Sequence, residues 1–159
     1  MTRLLLIRHG ETKYNLNRCY CGLSDPPLNA SGISQAESLS GQLKDFDIAL
    51  VYSSDLKRTM QTAEIVFPVH QIKTMPEFRE FNFGVFEGLN YTEIAEKYPG
   101  FYHDWLINPL HVSIPKGERF TDFKNRVNNA LSLVISLNRN KTIALVTHSG
   151  PIRLILCEV

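Results

Sequence analysis

Leu4-Leu5-Leu6-Ile7-Arg8-His9-Gly10-Glu11-Thr12 decides the reading of this chain. An apolar run goes straight into Arg-His-Gly. A short apolar run bounded by a turn signal reads as a fully buried strand, here predicted over 3–8. Gly10 permits a sharp turn and leaves Arg8 and His9 at the strand's carboxyl end. Open α/β sheets bind their ligands at that end. An arginine beside a histidine there points to an anionic substrate and to a nucleophile or base acting on it. Taken alone, the segment also fits a charged turn after a core strand.

Two further apolar runs weigh against the turn. Ile143-Ala144-Leu145-Val146-Thr147 ends in His148-Ser149-Gly150, and Ile48-Ala49-Leu50-Val51-Tyr52 ends in Ser53-Ser54-Asp55. Each is followed by a helix-like segment. If the strands are parallel, their polar ends meet on one rim of the sheet. His9, His148 and the segment Ser53–Arg58 then come within reach of one another.

A length of 159 residues predicts one domain, 1–159, able to bury roughly 70% of the unfolded chain's surface. Hydrophobic residues make up 43% and charged residues 21%, as in an ordinary globular protein. A net charge of +1 argues against a polybasic surface for nucleic acid or membrane, so any anion site must be local. Cys19 and Cys21 have no matching downstream pair, which is not zinc-site spacing. With Cys157 they read as reduced thiols in a cytoplasmic protein. The apolar N-terminal run is too short for a signal peptide or a membrane span.

The predicted elements are strand 3–8, helix 30–44, strand 48–53, helix 55–66, a short strand 69–74, helical pieces over 91–107, helix 118–138, strand 141–147 and a helix from 150 onward. This alternation predicts a three-layer α/β/α sandwich with a mainly parallel central sheet. Ser31 and Asp55 are the expected helix caps. Phe120, Phe123, Val127, Ala130, Leu131 and Val134 recur at helical spacing and form a core stripe. The stretch 76–117 is irregular and rich in aromatics. It reads either as a lid or binding wall or as a satellite hydrophobic cluster.

Four motifs, in order and on the expected elements, resemble those of the histidine phosphatase superfamily, the phosphoglycerate-mutase-like proteins. They are Arg8-His9-Gly10-Glu11-Thr12 with Asn15; Ser53-Ser54-Asp55-Leu56-Lys57-Arg58 with Thr62-Ala63; Arg79-Glu80 with Gly84 and Glu87-Gly88; and His148-Ser149-Gly150 with Ile152-Arg153. The resemblance implies that His9 is a nucleophile forming a phosphohistidine. It implies that Arg8 and Arg58 grip phosphoryl oxygens, that a protonated His148 adds a donor, and that Asn15, Gly22 and Ser149 support substrate binding. Glu80 is implied as general acid and then base, which calls for a pKa raised by desolvation against the pull of the arginines. On local chemistry alone Glu77 and Glu87 are rivals, and a salt bridge from Glu80 to Arg79 is the plain alternative. His70, His103 and His111 match no motif. No metal or cofactor is implied.

Within the family the subgroup features resemble alpha-ribazole phosphatases. These features are Phe83–Leu89, Tyr98 to Trp105, and Pro115-Lys116-Gly117-Glu118-Arg119-Phe120. The implied substrate is a small phosphomonoester, alpha-ribazole 5′-phosphate of cobalamin biosynthesis, with Tyr102 or Trp105 stacking on its benzimidazole ring. A broad-specificity phosphatase, a phosphoglycerate mutase and a binding module without turnover are the alternatives. Family members usually run on beyond the second histidine motif, whereas this chain stops at Cys157-Glu158-Val159. The expectation is either an exposed apolar surface that favours a homodimer or a chain cut short.

Overall fold

The computed structural model describes residues 1–158. Four strands, β1 (Arg3–Arg8), β2 (Leu50–Ser53), β3 (Ile72–Thr74) and β4 (Thr142–Thr147), form one sheet in the order β1-β4-β2-β3 with every pair parallel. The helices are α1 (Lys13–Leu16), α2 (Ala30–Leu43), α3 (Lys57–Val66), α4 (Tyr91–Lys97), α5 (Pro99–Ile107), α6 (Phe120–Leu137) and α7 (Ser149–Glu158).

The side-chain period of two explains the layers. In β4, Ile143 and Leu145 face one way and join Phe123, Val127, Leu131 and Val134 of α6 and Leu154 and Ile155 of α7. Ala144 and Val146 face the other way and join Ala36 of α2 and Ala63 and Val66 of α3. Leu4 and Leu6 in β1 follow the first set, Leu5 and Ile7 the second. A strand buried on both faces must be apolar throughout, which is why β4 shows no alternation in its sequence. The predicted three-layer α/β/α sandwich is therefore the observed one.

Local chemistry moved some boundaries. The cap of α2 is Asn29, whose Oδ1 accepts the Gly32 N–H at 2.8 Å; Ser31 lies inside the helix. The cap position of α3 is Leu56, not Asp55, because the Asp55 carboxylate is committed to Arg79, with Arg79 Nε to Oδ1 at 2.7 Å. Strand β2 starts at 50 rather than 48, and β3 at 72 rather than 69. The short helix α1 is an element that the apolar pattern does not predict. It rests on a capping box in which Thr12 and Asn15 bond reciprocally.

The aromatic stretch forms a satellite cluster, and Phe81, Phe83 and Trp105 at its edge also line a groove. Phe86, Ile94, Tyr102 and Ile114 are its buried centre. Tyr102 is 8% exposed, lies 17° from parallel to Trp105, and bonds Tyr20 through their hydroxyls at 3.2 Å. Tyr102 thus stiffens the wall and offers no face for stacking, while Trp105 is partly buried and lines a groove.

Leu145 is fully buried between β4's neighbours and α6. Leu145→Ala is expected to cost about 2–5 kcal/mol in a urea unfolding titration, from lost burial plus the cavity left behind.

Candidate active site

Each polar strand end feeds the same rim. Arg8 is paired with Thr147 across β1 and β4, so His9 and His148 follow their strands side by side. The His9 N–H donates to the Thr147 carbonyl at 3.0 Å, and the Ser54 N–H to the Val146 carbonyl at 3.1 Å. The two imidazoles lie 5.2 Å apart, centroid to centroid, at 61°.

The protein sets the tautomer of His9. Its Nδ1 lies 2.7 Å from the Gly10 carbonyl, which can only accept, so Nδ1 carries the hydrogen and Nε2 keeps its lone pair. Burial pushes the His9 pKa down to about 3; the Gly10 bond opposes this, and the charges of Arg58 and Arg8 add to it. Gly10 is held in turn by its N–H on Thr62 Oγ1 at 3.0 Å. A Cβ at Gly10 would come 2.4 Å from the Gly32 carbonyl oxygen, so this turn admits no side chain.

His148 is fully buried and differs from expectation. Thr59 Oγ1 spends its hydrogen on the Leu56 carbonyl at 2.7 Å, so it accepts from Ser54 Oγ at 2.8 Å. Ser54 Oγ in turn accepts from His148 Nε2 at 2.8 Å. Nδ1 is left buried with no protein partner among the described residues. Burial first, then the charges of Arg58, His9, Arg126 and Arg8, hold this imidazole well below its ordinary range. In the protein's own field the neutral imidazole is therefore favoured over the protonated form. Ser54 is an orienting residue that the sequence did not single out, although it lies inside a quoted motif.

Arg58 is fully buried as well. Its Nη1 donates to the Ser24 carbonyl at 2.7 Å and its Nη2 to the Gly22 carbonyl at 2.8 Å. Nε is buried with no hydrogen-bond partner among the described residues. Both ends of the fork thus donate to carbonyls of the neighbouring loop, at Cys21, Gly22 and Ser24. Arg8 is exposed and lines the pocket that contains His9. Asn15 lines it too; its Oδ1 accepts from the Thr12 N–H and hydroxyl at 2.9 Å each, which leaves its amide donors unused by the capping box.

Glu80 is 8% exposed and sits at the N-terminus of α7. Its carboxylate accepts the Gly150 N–H at 3.0 Å and the Phe81 N–H at 2.9 Å. Burial raises its pKa; those two N–H groups and the charges of Arg58 and Arg8 pull the other way without cancelling the shift. Arg79 is not its partner, being paired with Asp55. Of the rivals, Glu77 is exposed. Glu87 is saturated by backbone donors, taking N–H groups of Gly22, Leu23, Ser24 and Phe83 between 3.0 and 3.1 Å. The same bonds leave Gly22 no free donor for a substrate, since its N–H goes to Glu87 and its carbonyl to Arg58. Ser149 opens α7 beside Glu80.

Two cavities meet at Glu80 and Phe83. A polar pocket of about 600 Å³ holds Arg8, His9, Asn15, Arg18 and Cys21. An apolar groove of about 380 Å³ holds Phe81, Trp105, Leu110, Phe123 and Ser149. Of the two, the polar pocket is the one that brings the His9 imidazole together with an arginine. His103 and His111 are exposed and line neither cavity, and His70 Nε2 bonds the Ile48 carbonyl at 3.1 Å. The three cysteines are free thiols. Among the described residues no group of three or more His, Cys, Asp and Glu could hold a metal ion, and no helix is long and apolar enough to cross a membrane.

Because His9 and His148 bind protons far less readily when folded than when unfolded, unfolding takes up protons on acidification. Stability is then lost as pH falls from about 6.5 toward the folded values, by about 1 kcal/mol per pH unit per histidine. Glu80 acts oppositely, since its raised folded pKa favours the native state at low pH. Chemical denaturation of the parent beside His9→Asn isolates the His9 part. The parent is expected to lose about 1 kcal/mol more per pH unit between about pH 6 and 4.

Residues 4–159 match the model of the histidine phosphatase superfamily (branch 1). The chain is 34% identical to Phosphoserine phosphatase 1 of Hydrogenobacter thermophilus, over 100% of this chain and 76% of that protein. It is 32% identical to Adenosylcobalamin/alpha-ribazole phosphatase of Escherichia coli, over 99% of this chain and 78% of the relative. The crystal structure of the alpha-ribazole phosphatase from Shigella flexneri superposes with a TM-score of 0.91 at 33% identity, covering 98% of this chain and 78% of that one. With two histidines meeting beside a buried arginine and a desolvated carboxyl, and with these matches along its length, the chain belongs to the histidine phosphatase superfamily and is a phosphatase.

Proposed function

We propose that the chain hydrolyses phosphomonoesters through a phosphohistidine on His9, and that its substrate is alpha-ribazole 5′-phosphate. The observation that carries the mechanism is the Nδ1 bond from His9 to the Gly10 carbonyl, which leaves Nε2 as a neutral nucleophile in a pocket with Arg8 and Glu80.

His9 Nε2 attacks phosphorus, the P–O ester bond breaks, and the leaving oxygen takes its proton from Glu80. A water molecule then gives a proton to the Glu80 carboxylate and attacks phosphorus. The P–N bond breaks, the electron pair returns to Nε2, and phosphate leaves. Arg8 and the free Nε of Arg58 stabilise charge on the equatorial oxygens, where phosphoryl transfer needs it. A phosphoryl dianion beside His148 Nδ1 offsets the desolvation that keeps this ring neutral and recruits a proton there. No step uses a metal.

Two features support the substrate. Glu80 lines both cavities, so a phosphate in the polar pocket directs its leaving group toward the apolar groove. Phe81, Phe83 and Trp105 of that groove suit a benzimidazole better than a small zwitterion such as phosphoserine. One relative carries alpha-ribazole phosphatase in its name.

Phosphate release in EDTA from alpha-ribazole 5′-phosphate, phosphoserine and simple esters, with His9→Ala alongside, tests both parts. Preference for ribazole phosphate, abolished in His9→Ala, is expected. Broad His9-dependent hydrolysis removes the substrate and keeps the mechanism; activity that survives His9→Ala removes the mechanism. A Cβ at Gly150 would come 2.1 Å from Glu80 Oε1. Gly150→Ala is therefore expected to lower kcat on ribazole phosphate by about 10–100-fold, through a displaced acid, in steady-state assays of folded protein.

A further inference from the structure

Arg126 reaches from α6 to the irregular segment that carries Glu80. Its Nη1 donates to the carbonyls of Glu77 at 2.6 Å and Arg79 at 2.8 Å, and its Nη2 to the carbonyl of Glu80 itself at 2.9 Å. The other edge of the fork holds Glu118, with Nε to Oε2 at 3.0 Å and Nη2 to Oε1 at 2.7 Å. Glu118 Oε1 also accepts the Asn82 N–H at 2.9 Å. One planar cation and its counter-ion thus grip the backbone around Glu80, at 77 and 79 before it, at its own carbonyl, and at 82 after it. The guanidinium is seated over the Phe123 ring, 4.9 Å from its centroid.

This segment runs through a 3₁₀ turn at Pro76–Phe78 and then has no helix or strand ladder to satisfy its carbonyls. A side chain must supply the donors. Five N–H groups in a fixed fork can do so; a lysine ammonium lacks the plane and the reach to serve three carbonyls and a carboxylate together. Arg126 does not line the polar pocket, so it acts on the reaction through the segment it holds.

We propose that Arg126, with Glu118 as its counter-ion, is a positioning residue that fixes the Glu80 carboxyl at the junction of the polar pocket and the apolar groove. The inference rests on the reading of Glu80 as the general acid. A shift of about 1 Å in such a group costs on the order of 10²-fold in rate.

The test compares kcat/KM, which reports transfer to His9, on two esters. p-Nitrophenyl phosphate has a leaving group that departs without a proton; β-glycerophosphate has an alkoxide that needs one. The variants are Arg126→Lys, Arg126→Gln, Glu80→Gln and the double variant Arg126→Lys with Glu80→Gln, each checked for folding by thermal unfolding. Arg126→Lys keeps the charge and serves if Arg126→Gln does not fold. Glu80→Gln and the Arg126 variants are each expected to lower kcat/KM on β-glycerophosphate by about 10–100-fold and on p-nitrophenyl phosphate by less than about 3-fold. The double variant should fall less than about 3-fold below Glu80→Gln, because both changes remove one function. Equal losses on the two esters from Arg126 variants, or multiplying losses in the double variant, overturn the inference while a selective Glu80→Gln leaves the acid standing. A Glu80→Gln with no ester selectivity overturns the acid and this inference with it.

Discussion

The parallel pairing of β1 with β4 is the constraint on which the rest of the site depends. Register places Arg8 opposite Thr147 and sends both chains out of the sheet at the same level. The histidines that follow have nowhere to go but against each other. The third strand, β2, lies on the other side of β4 and delivers Ser54 to His148. Slipping one strand by a residue would turn every apolar side chain to the opposite layer, so the two cores enforce the register that the site needs.

Electrostatics then follow from how each charge is partnered. Arg58 is buried against carbonyl dipoles of the 22–24 loop and not against a carboxylate. Its positive charge is hydrated by protein but not neutralised, and it is felt at His9, His148 and Glu80. Glu80, Asp25 and Glu87 act on that charge through space, with no carboxylate among the described residues bonded to the guanidinium. Glu87 is wrapped in backbone N–H groups, and Asp55 is paired with Arg79. What remains at the rim is positive charge, an unprotonated imidazole and a carboxyl whose burial favours the protonated form. That combination suits a dianion whose leaving group needs a proton.

Much of this was legible in order along the chain. Runs of apolar residues leading into His9, Ser54 and His148 mark three buried strands, and the core stripe of α6 is explicit in its residue spacing. What misled was local chemistry read without neighbours. Asp55 looks like a cap until Arg79 arrives from 24 residues away. Glu87 competes with Glu80 until the 22–24 loop is seen folded over it. Tyr102 looks available for stacking until the cluster around Phe86 encloses it.

The sequence by itself determined the class of the sheet and the family, and it named the candidate residues that the fold brings to one rim. These depend on short-range patterns: apolar runs, glycines at sharp turns, and motifs a few residues long. Only the tertiary structure decided protonation, tautomer and support. Whether His148 is neutral, which nitrogen of His9 is free, and what grips the segment around Glu80 depend on burial and on partners brought together from distant parts of the chain. Desolvation and hydrogen bonding act through space, and no local pattern records them.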